Sequence, residues 1–269
     1  MRERIGAKER FAAIQAEGRP PIGVFVTSTD PAMTEIMGYV GYDFVLFDNE
    51  HGPLGPAELL PHVRAAEAAG LLPLVRMPQT NRADVQRMLD IGMEGLVVAH
   101  IESAEEIEAI VAATRYPHSH TTAAGTRGMC PGCHAARYAA TGWDDFVQHT
   151  ERNVLVIPLI ETQRGVDNAA DIAAVDGVDY VHFGPGDYSS EHGVPMQHEI
   201  VTEGWEAVLE ATRAAGKRTF ALARTPGLRP PDADAVLDGM DLVGTRNYFT
   251  DRLETVRREL AGHTAELPG

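Results

Sequence analysis

Short apolar segments that each end in a polar or charged side chain recur along this chain of 269 residues. Four of them are residues 44–47 before Asp48, Glu50 and His51, residues 72–75 before Arg76, residues 154–160 before Glu161, and residues 180–183 before Gly184, Gly186 and Asp187. Buried parallel strands with functional groups after their carboxyl ends are typical of the active site of a (β/α) barrel. The pattern therefore predicts that these polar groups meet at one end of a barrel.

Strand-like and helix-like segments alternate through the whole chain. The predicted strands are residues 22–26, 44–47, 72–75, 95–99, 154–160, 178–183, 218–222 and 242–243. The predicted helices are residues 31–39, 56–69, 82–91, 104–114, 166–175, 205–215 and 231–238. Because the strand segments are continuously apolar, they favour a closed parallel barrel. We predict an α/β protein with one (β/α)8 TIM-type barrel domain over residues 1–269, with an inserted loop near residues 118–150.

Composition restricts the partners of such a barrel. The formal net charge of −16 argues against nucleic acids and anionic membranes as partners, because both require basic surfaces. No apolar run approaches the length of a membrane span, and no apolar stretch follows Met1, so the sequence predicts a cytoplasmic protein. Two cysteines in a chain of this length do not form a disulfide framework.

Five motifs along the chain resemble those of a known enzyme family. They are residues 47–53 (FDNEHGP), 75–78 (VRMP), 125–128 (GTRG), 160–162 (IET) and 184–189 (GPGDYS). In this order and spacing they are similar to the HpcH/HpaI aldolase/citrate lyase family, and within it to the metal-dependent (class II) pyruvate aldolases. The resemblance covers residues 23–193 well and the C-terminal third poorly.

The resemblance implies a fold, an assembly and a reaction. The implied fold is a phosphoenolpyruvate/pyruvate-domain-like barrel that exchanges its last helix with a neighbouring subunit in a hexamer, or trimer of dimers. The implied reaction cleaves or forms a carbon–carbon bond of a 4-hydroxy-2-oxoacid, with pyruvate as one product and an aldehyde as the other. The expected partners are therefore a small oxo-acid and an aldehyde.

This reaction needs a group that stabilises the negative charge of a pyruvate enolate. Glu161 and Asp187 are predicted to hold a divalent metal, with Mg²⁺ or Mn²⁺ preferred for oxygen ligands and Co²⁺ as a third option. Arg76 is predicted to bind the enolate oxygen, since its guanidinium is permanently charged. No lysine follows a matching strand, which argues against a Schiff-base aldolase.

The remaining roles concern the proton and the substrate carboxylate. His51 is predicted to take the proton of the 4-hydroxyl group, with Asp48 orienting the imidazole. The backbone amides of Gly186 and Asp187 are predicted to bind the carboxylate.

Each of these residues also has an ordinary structural interpretation. Asp187 fits the cap of a helix, and His51 fits an exposed surface histidine. Arg76 fits an ion pair with Asp48 or Glu50 at the end of the barrel. The presence of all these residue types after successive strands favours the catalytic interpretation.

The segment Cys130–His134 has the pattern C-x-x-C-H, which allows three further interpretations. The pattern is that of haem attachment, and C-x-x-C is also found in redox motifs and zinc sites. His118 and His120 are close enough in sequence to complete a zinc site. We favour two reduced cysteines in a loop near the active site.

Two departures from the family pattern affect the predicted acceptor. Leu159 stands where many pyruvate aldolases have glutamine, and the last predicted strand leads to Arg246 instead of an acid. Three alternatives therefore stay open: enolate chemistry with a specialised acceptor, as in macrophomate synthase; cleavage of a CoA ester; and a non-enzymatic barrel whose Cys/His loop binds a metal or acts in redox exchange.

Overall fold

Eight parallel strands close into a barrel in the order in which they occur along the chain. The computed structural model describes residues 6–117, 125–140, 142–229 and 232–264. The strands are β1 (Ile22–Val26), β2 (Phe44–Asp48), β3 (Leu72–Met77), β4 (Gly95–Val98), β5 (Leu155–Ile160), β6 (Tyr180–Phe183), β7 (Arg218–Leu222) and β8 (Ala235–Met240). Since β1 pairs with both β2 and β8, the predicted (β/α)8 barrel is confirmed.

Helices lie between the strands and at both ends of the chain. They are α1 (Ala7–Ala16), α2 (Pro31–Val40), α3 (Pro56–Ala69), α4 (Arg82–Asp90), α5 (Ala104–Thr114), α6 (Trp143–Asn153), α7 (Gln163–Asp167), α8 (Ala169–Ala174), α9 (Pro185–Glu191), α10 (Glu199–Ala214) and α11 (Asp241–Thr264), with a short 3₁₀ turn at Arg137–Ala139. Asp30, Asn81 and Ser103 accept backbone hydrogen bonds at the starts of α2, α4 and α5, as expected of N-cap residues.

Helix α1 closes the amino-terminal end of the barrel. The Phe11 ring lies inside the barrel, with its centroid 5.3 Å from that of Phe44 and 5.8 Å from that of Tyr180. The side-chain amide of Gln15 donates to the Tyr180 hydroxyl group. With this end filled by aromatic side chains, the opposite, carboxyl end of the strands is left for polar groups.

The sequence-based predictions for the last strand and its preceding helix are wrong. Residues 231–238 were expected to be helical, but β8 occupies Ala235–Met240. Residues 242–243, expected to form the last strand, lie in the first turn of α11. The burial of Ala235 and Leu237 between more exposed residues is the two-residue alternation of a strand, and Asp238 and Gly239 interrupt any apolar run.

This correction also removes one departure from the family pattern. The residue after the last strand is Asp241, which is 3% exposed, and not a residue near Arg246. Its carboxylate accepts the backbone N–H groups of Thr27 and Ser28 and the Thr27 hydroxyl group. Asp241 therefore fixes the loop between β1 and α2.

Helices α6, α7, α8 and α10 differ from the sequence-based predictions. Helix α6 occupies Trp143–Asn153 and so overlaps the end of the segment near residues 118–150 that was predicted as an inserted loop, whereas residues 118–124 lie outside the described residues. The predicted helix 166–175 is two short helices, α7 and α8, separated at Asn168. Helix α10 begins at Glu199 instead of residue 205 because His198 caps it.

Helix α11 leaves the barrel with much of its apolar surface uncovered. Its 24 residues start against β1 and β8. Tyr248, Phe249, Leu253 and Leu260 are each at least 50% exposed. Within the described part of the chain, no helix has the length and apolar character needed to cross a membrane.

Candidate active site

A cavity of about 300 Å³ opens beyond the carboxyl ends of β2, β4, β5 and β6. It is lined by Glu50, His51, His100, Glu102, Glu161, Thr162, Asp187, Ser190 and Glu191. The volume suits a small ligand, and the carboxyl end of the strands is where barrel enzymes place their active sites. Three of the residues predicted from sequence, His51, Glu161 and Asp187, meet in this cavity.

Glu161 follows β5 and is almost completely buried, with 4% of its surface exposed. Its Oε1 accepts the backbone N–H of His100 at 2.8 Å. Burial raises the pKa of Glu161 to about 8, and the negative charges of Asp187 and Glu50 act in the same direction. A cation at this position would relieve the repulsion, so the site fits a metal ion.

Gly184, which follows β6, leaves room for this carboxylate. A Cβ atom at position 184 would lie 2.7 Å from Glu161 Oε2 and 2.8 Å from Glu161 Cβ. The φ of −99° at Gly184 is accessible to any residue, so the requirement for glycine here is steric.

Asp187 and Gly186 lie in the first turn of α9. The N-cap position of this helix is Gly184, and no side chain caps it, so the interpretation of Asp187 as a helix cap is wrong. A Cβ atom at Gly186 would meet nothing within 4 Å, so packing does not require glycine there. Asp187 is instead one of the residues that line the cavity.

Arg76 is held by Asp48, its register partner on the neighbouring strand. Arg76 Nε donates to Asp48 Oδ1 at 3.0 Å, and Nη2 donates to Oδ2 at 2.7 Å. The Nε atom is also 3.3 Å from Glu50 Oε2, and the guanidinium lies over the Phe25 ring at 4.8 Å. Arg76 thus forms the ion pairs that the structural interpretation predicted, and these pairs fix the guanidinium in place.

The two acids that contact Arg76 differ in their affinity for protons. Burial by itself would raise the pKa of Asp48, but the hydrogen bonds and charge of Arg76 lower it below its usual value, with help from the backbone N–H groups of His51 and Glu50. Burial raises the pKa of Glu50, against the opposing charge of Arg76. Asp48 is therefore the firmly ionised partner of Arg76.

The carboxylate beside the His51 ring is Glu50 and not the predicted Asp48. His51 Nε2 lies 3.7 Å from Glu50 Oε2, and 63% of the His51 side chain is exposed. Asp48 contacts the backbone of His51 instead, accepting its N–H at 3.2 Å. The structure therefore places Glu50, and not Asp48, within ion-pair distance of the His51 ring.

Three further residues line the cavity that were not predicted from the sequence: His100, Glu102 and Glu191. His100 has a left-handed backbone with φ of 59°, a conformation uncommon outside glycine and typical of functional sites. Its Nδ1 lies 4.0 Å from Glu161 Oε1. The feature that could have indicated His100 is its position just after β4, as for the residues after the other strands.

Five carboxylates line this cavity, and Glu161 and Asp187 are the two of them that the sequence predicts as metal ligands. Across residues 6–117, 125–140, 142–229 and 232–264, no group of three or more His, Cys, Asp or Glu side chains is arranged to hold a metal. One or two carboxylates with the other positions left to water and substrate is the usual arrangement for Mg²⁺. The donor set therefore fits Mg²⁺ or Mn²⁺.

The Cys130–His134 segment lies apart from the cavity lining. Cys130 is exposed, Cys133 is partly buried, and both are free thiols. Burial raises the pKa of the Cys133 thiol, which lowers its reactivity. His134 Nε2 lies 3.4 Å from Glu67 Oε2, while His118 and His120 lie outside the described residues.

Comparison with known proteins identifies the family. The model of the HpcH/HpaI aldolase/citrate lyase family matches residues 21–226. The 5-keto-4-deoxy-D-glucarate aldolase of Shigella boydii is 32% identical over 228 residues, which are 84% of each chain. A family protein from Burkholderia cenocepacia is 28% identical with a TM-score of 0.83, covering 89% of this chain and 95% of its own. The citrate synthase SbnG is 28% identical with a TM-score of 0.79, covering 92% of this chain and 97% of its own. The chain belongs to the HpcH/HpaI aldolase/citrate lyase family and is a carbon–carbon lyase of the aldolase type.

Proposed function

We propose that the protein is a metal-dependent aldolase that cleaves or forms a 4-hydroxy-2-oxoacid through the enolate of pyruvate. The observation that carries this proposal is the buried Glu161 facing Asp187 and Glu50 in the cavity, together with Arg76, which Asp48 fixes 3.3 Å from the cavity-lining Glu50. A candidate cation site in the cavity thus has a permanently charged guanidinium next to one of the lining residues. Both are suited to the negative charge that develops on a 2-oxoacid.

Glu161 and Asp187 would hold the metal ion, Mg²⁺ or Mn²⁺ by the preference of carboxylate oxygens and with Co²⁺ as a third option. When bound, the ion would act as a Lewis acid toward the carboxylate and 2-oxo groups of the substrate. The backbone N–H groups of Gly186 and Asp187 lie in the first turn of α9, where helix N–H groups have no partner within the helix. We assign them to the substrate carboxylate.

Arg76 stabilises the charge that cleavage produces. When the bond between C3 and C4 breaks, its electron pair stays with the pyruvate fragment, which becomes an enolate. The guanidinium is held in position before the reaction by its two hydrogen bonds to Asp48, so it needs no reorganisation as charge develops. Pairing with Asp48 and stabilisation of the enolate are therefore compatible roles.

His51 accepts the proton of the 4-hydroxyl group as C4 becomes the aldehyde carbonyl. The enolate then takes a proton at C3 and becomes the methyl group of pyruvate. In the synthetic direction, a base removes this C3 proton, C3 attacks the aldehyde carbon, and the new alkoxide takes the proton back. Glu50, 3.7 Å from His51 Nε2, stabilises the imidazolium that exists between the two transfers.

Pyruvate labelling tests the proposal without knowledge of the aldehyde. Exchange of the C3 protons of pyruvate with D₂O should require Mg²⁺ or Mn²⁺, stop with a chelator, and be lost in Glu161→Gln. The control is Glu108→Gln, an exposed glutamate on α5 that does not line the cavity. Absence of exchange in folded, metal-loaded wild-type protein would refute the proposal.

We further propose that α11 is exchanged between subunits of a hexamer, because its apolar side chains Tyr248, Phe249, Leu253 and Leu260 are uncovered within one chain. Light scattering after size exclusion should give six chains for the wild type. The double variant Phe249→Asp/Leu253→Asp should give a smaller species. A monomeric wild type would contradict helix exchange.

A further inference from the structure

The outer part of the active-site cavity carries acidic side chains that the proposed reaction does not use. Glu102 and Glu191 line the cavity beside Ser190 and His100. Glu102 Oε1 accepts the Thr162 hydroxyl group at 2.9 Å. Glu191 Oε2 accepts the backbone N–H of Gln163 at 2.7 Å. These bonds fix both carboxylates at the cavity without neutralising their charge.

The charged groups assigned to the pyruvate end of the substrate are balanced. Arg76 is paired with Asp48 at 2.7 Å. The carboxylates of Glu161 and Asp187 match the two positive charges of a divalent ion. The substrate end that becomes pyruvate binds to these groups, so the aldehyde end must face the remaining surface.

That remaining surface is negative. Of the described residues that line the cavity, none is lysine or arginine, while Glu50, Glu102 and Glu191 all contribute carboxylates. Glu50 shares Arg76 with Asp48, and Arg164, which is 70% exposed, is 3.5 Å from Glu102. One solvent-screened cation does not balance these acids.

Carboxylates accept hydrogen bonds and donate none, so they bind hydroxyl groups well and repel another carboxylate. His51 and His100 can exchange hydrogen bonds with the same hydroxyl groups in their neutral form. We propose that the aldehyde partner is an uncharged hydroxyaldehyde that donates to Glu102 and Glu191, and not an aldehyde that bears a carboxylate. This inference rests on the proposed pyruvate aldolase function.

The substrate named for one relative illustrates the kind of aldehyde that the proposal excludes. The substrate named for the Shigella boydii relative, a glucarate derivative, is a sugar acid with a carboxylate at each end. Its aldehyde fragment therefore keeps one carboxylate. In this chain the same fragment would place that carboxylate against Glu102 and Glu191.

Two matched pairs of aldehydes test the inference with pyruvate as donor. Glycolaldehyde is compared with glyoxylate, and glyceraldehyde with tartronate semialdehyde, so that each pair exchanges a hydroxymethyl group for a carboxylate. We expect kcat/KM to favour the uncharged member at least tenfold. Glyoxylate is the more electrophilic aldehyde of its pair, so a preference for glycolaldehyde comes from the protein.

Isosteric variants then locate the cause of the preference. The relevant ratio is kcat/KM for the uncharged aldehyde divided by kcat/KM for its anionic counterpart. In Glu102→Gln and in Glu191→Gln this ratio should fall at least threefold, because the anionic aldehyde reacts faster. Glu108→Gln should keep the wild-type ratio. Raising the salt concentration should narrow the ratio in the wild type, since screening weakens the repulsion.

Pyruvate exchange in D₂O, measured on the same preparations, separates the two hypotheses. Its absence in the wild type means that the aldolase function itself has failed. If the wild type exchanges the pyruvate protons but prefers the anionic aldehyde of both pairs, the inference about the aldehyde is wrong and the aldolase function stands. The same conclusion follows if neither glutamine variant changes the ratio of kcat/KM values. If one variant does not fold, the other and the wild-type ratio still decide the question.

Discussion

The substitution Gly184→Ala should damage the proposed metal site without replacing either of its proposed ligands. A Cβ atom at position 184 would lie 2.7 Å from Glu161 Oε2, 2.8 Å from Glu161 Cβ and 3.1 Å from Leu159 Cδ1. A rotation of the Glu161 carboxylate relieves the first contact but not the second, because Cβ is fixed to the backbone of the strand. The end of β5 or the loop after β6 must therefore shift.

The size of the effect follows from this clash. Overpacking of a filled site costs about 1–3 kcal/mol of unfolding free energy. A displacement of about 1 Å in a catalytic group costs about 100-fold in rate. We expect Gly184→Ala to remain folded, to bind Mn²⁺ at least tenfold more weakly, and to exchange the C3 protons of pyruvate about 100-fold more slowly.

Three measurements on two variants check this expectation: urea denaturation, calorimetric titration with Mn²⁺, and deuterium exchange of pyruvate. Gly132→Ala is the matched control, because its Cβ would meet nothing within 4 Å and its backbone is not left-handed. Wild-type affinity for Mn²⁺ and wild-type exchange in Gly184→Ala would refute the assignment of Glu161 as a metal ligand held by this packing.

Three further predictions concern buried charged and titratable groups. Arg76→Lys keeps the charge but loses the two-bond contact with Asp48, so kcat for aldol cleavage should fall about 100-fold or more in steady-state kinetics. Because the pKa of Asp48 is lowered in the fold, its ionised form stabilises the protein above its unfolded pKa of about 3.8, and this contribution is lost as the pH falls through the folded pKa. Urea denaturation of Asp48→Asn should therefore show a smaller loss of stability below pH 4 than the wild type shows. An equal loss in both proteins would contradict the pairing of Asp48 with Arg76. Burial lowers the pKa of His182, on β6, from 6.5 to about 4, so that on acidification the unfolded chain takes up a proton before the folded chain does. The free energy of unfolding should therefore fall by on the order of 3 kcal/mol as the pH drops from 6.5 to 4. His182→Gln should remove this dependence, and an unchanged pH profile in the variant would contradict the lowered pKa of His182.

The residues that could be predicted from sequence are those whose position depends on strand ends alone. Asp48, Arg76 and Glu161 lie at or just after apolar strands, and a closed parallel barrel brings all such ends to one side. The limits of α3 and α5 agree with the sequence because a glycine ends the first and a serine caps the second.

What could not be predicted depends on contacts between distant segments. β8 is a strand because it fills the gap between β7 and β1, although Asp238 and Gly239 leave it without an apolar run. The partner of the His51 ring is Glu50, while Asp48 pairs with Arg76, which is 28 residues away in sequence. His100 lies just after β4, as the other site residues lie after their strands, but its left-handed backbone is not apparent from the sequence.

Asp48 emerges as the residue on which the geometry of the site depends, although it is not placed to react. Its carboxylate is 0% exposed and accepts hydrogen bonds from the Arg76 guanidinium and from the backbone of both Glu50 and His51. The proposed enolate-binding cation, the proposed proton acceptor and the acid beside that acceptor are therefore all hydrogen-bonded to one buried carboxylate. A carboxylate at the end of β2 suits this arrangement even though the acid beside the His51 ring is Glu50. An amide in its place could not accept from all these donors and also balance the charge of Arg76. The catalytic and structural interpretations of the Asp48–Arg76 pair are thus two aspects of one arrangement.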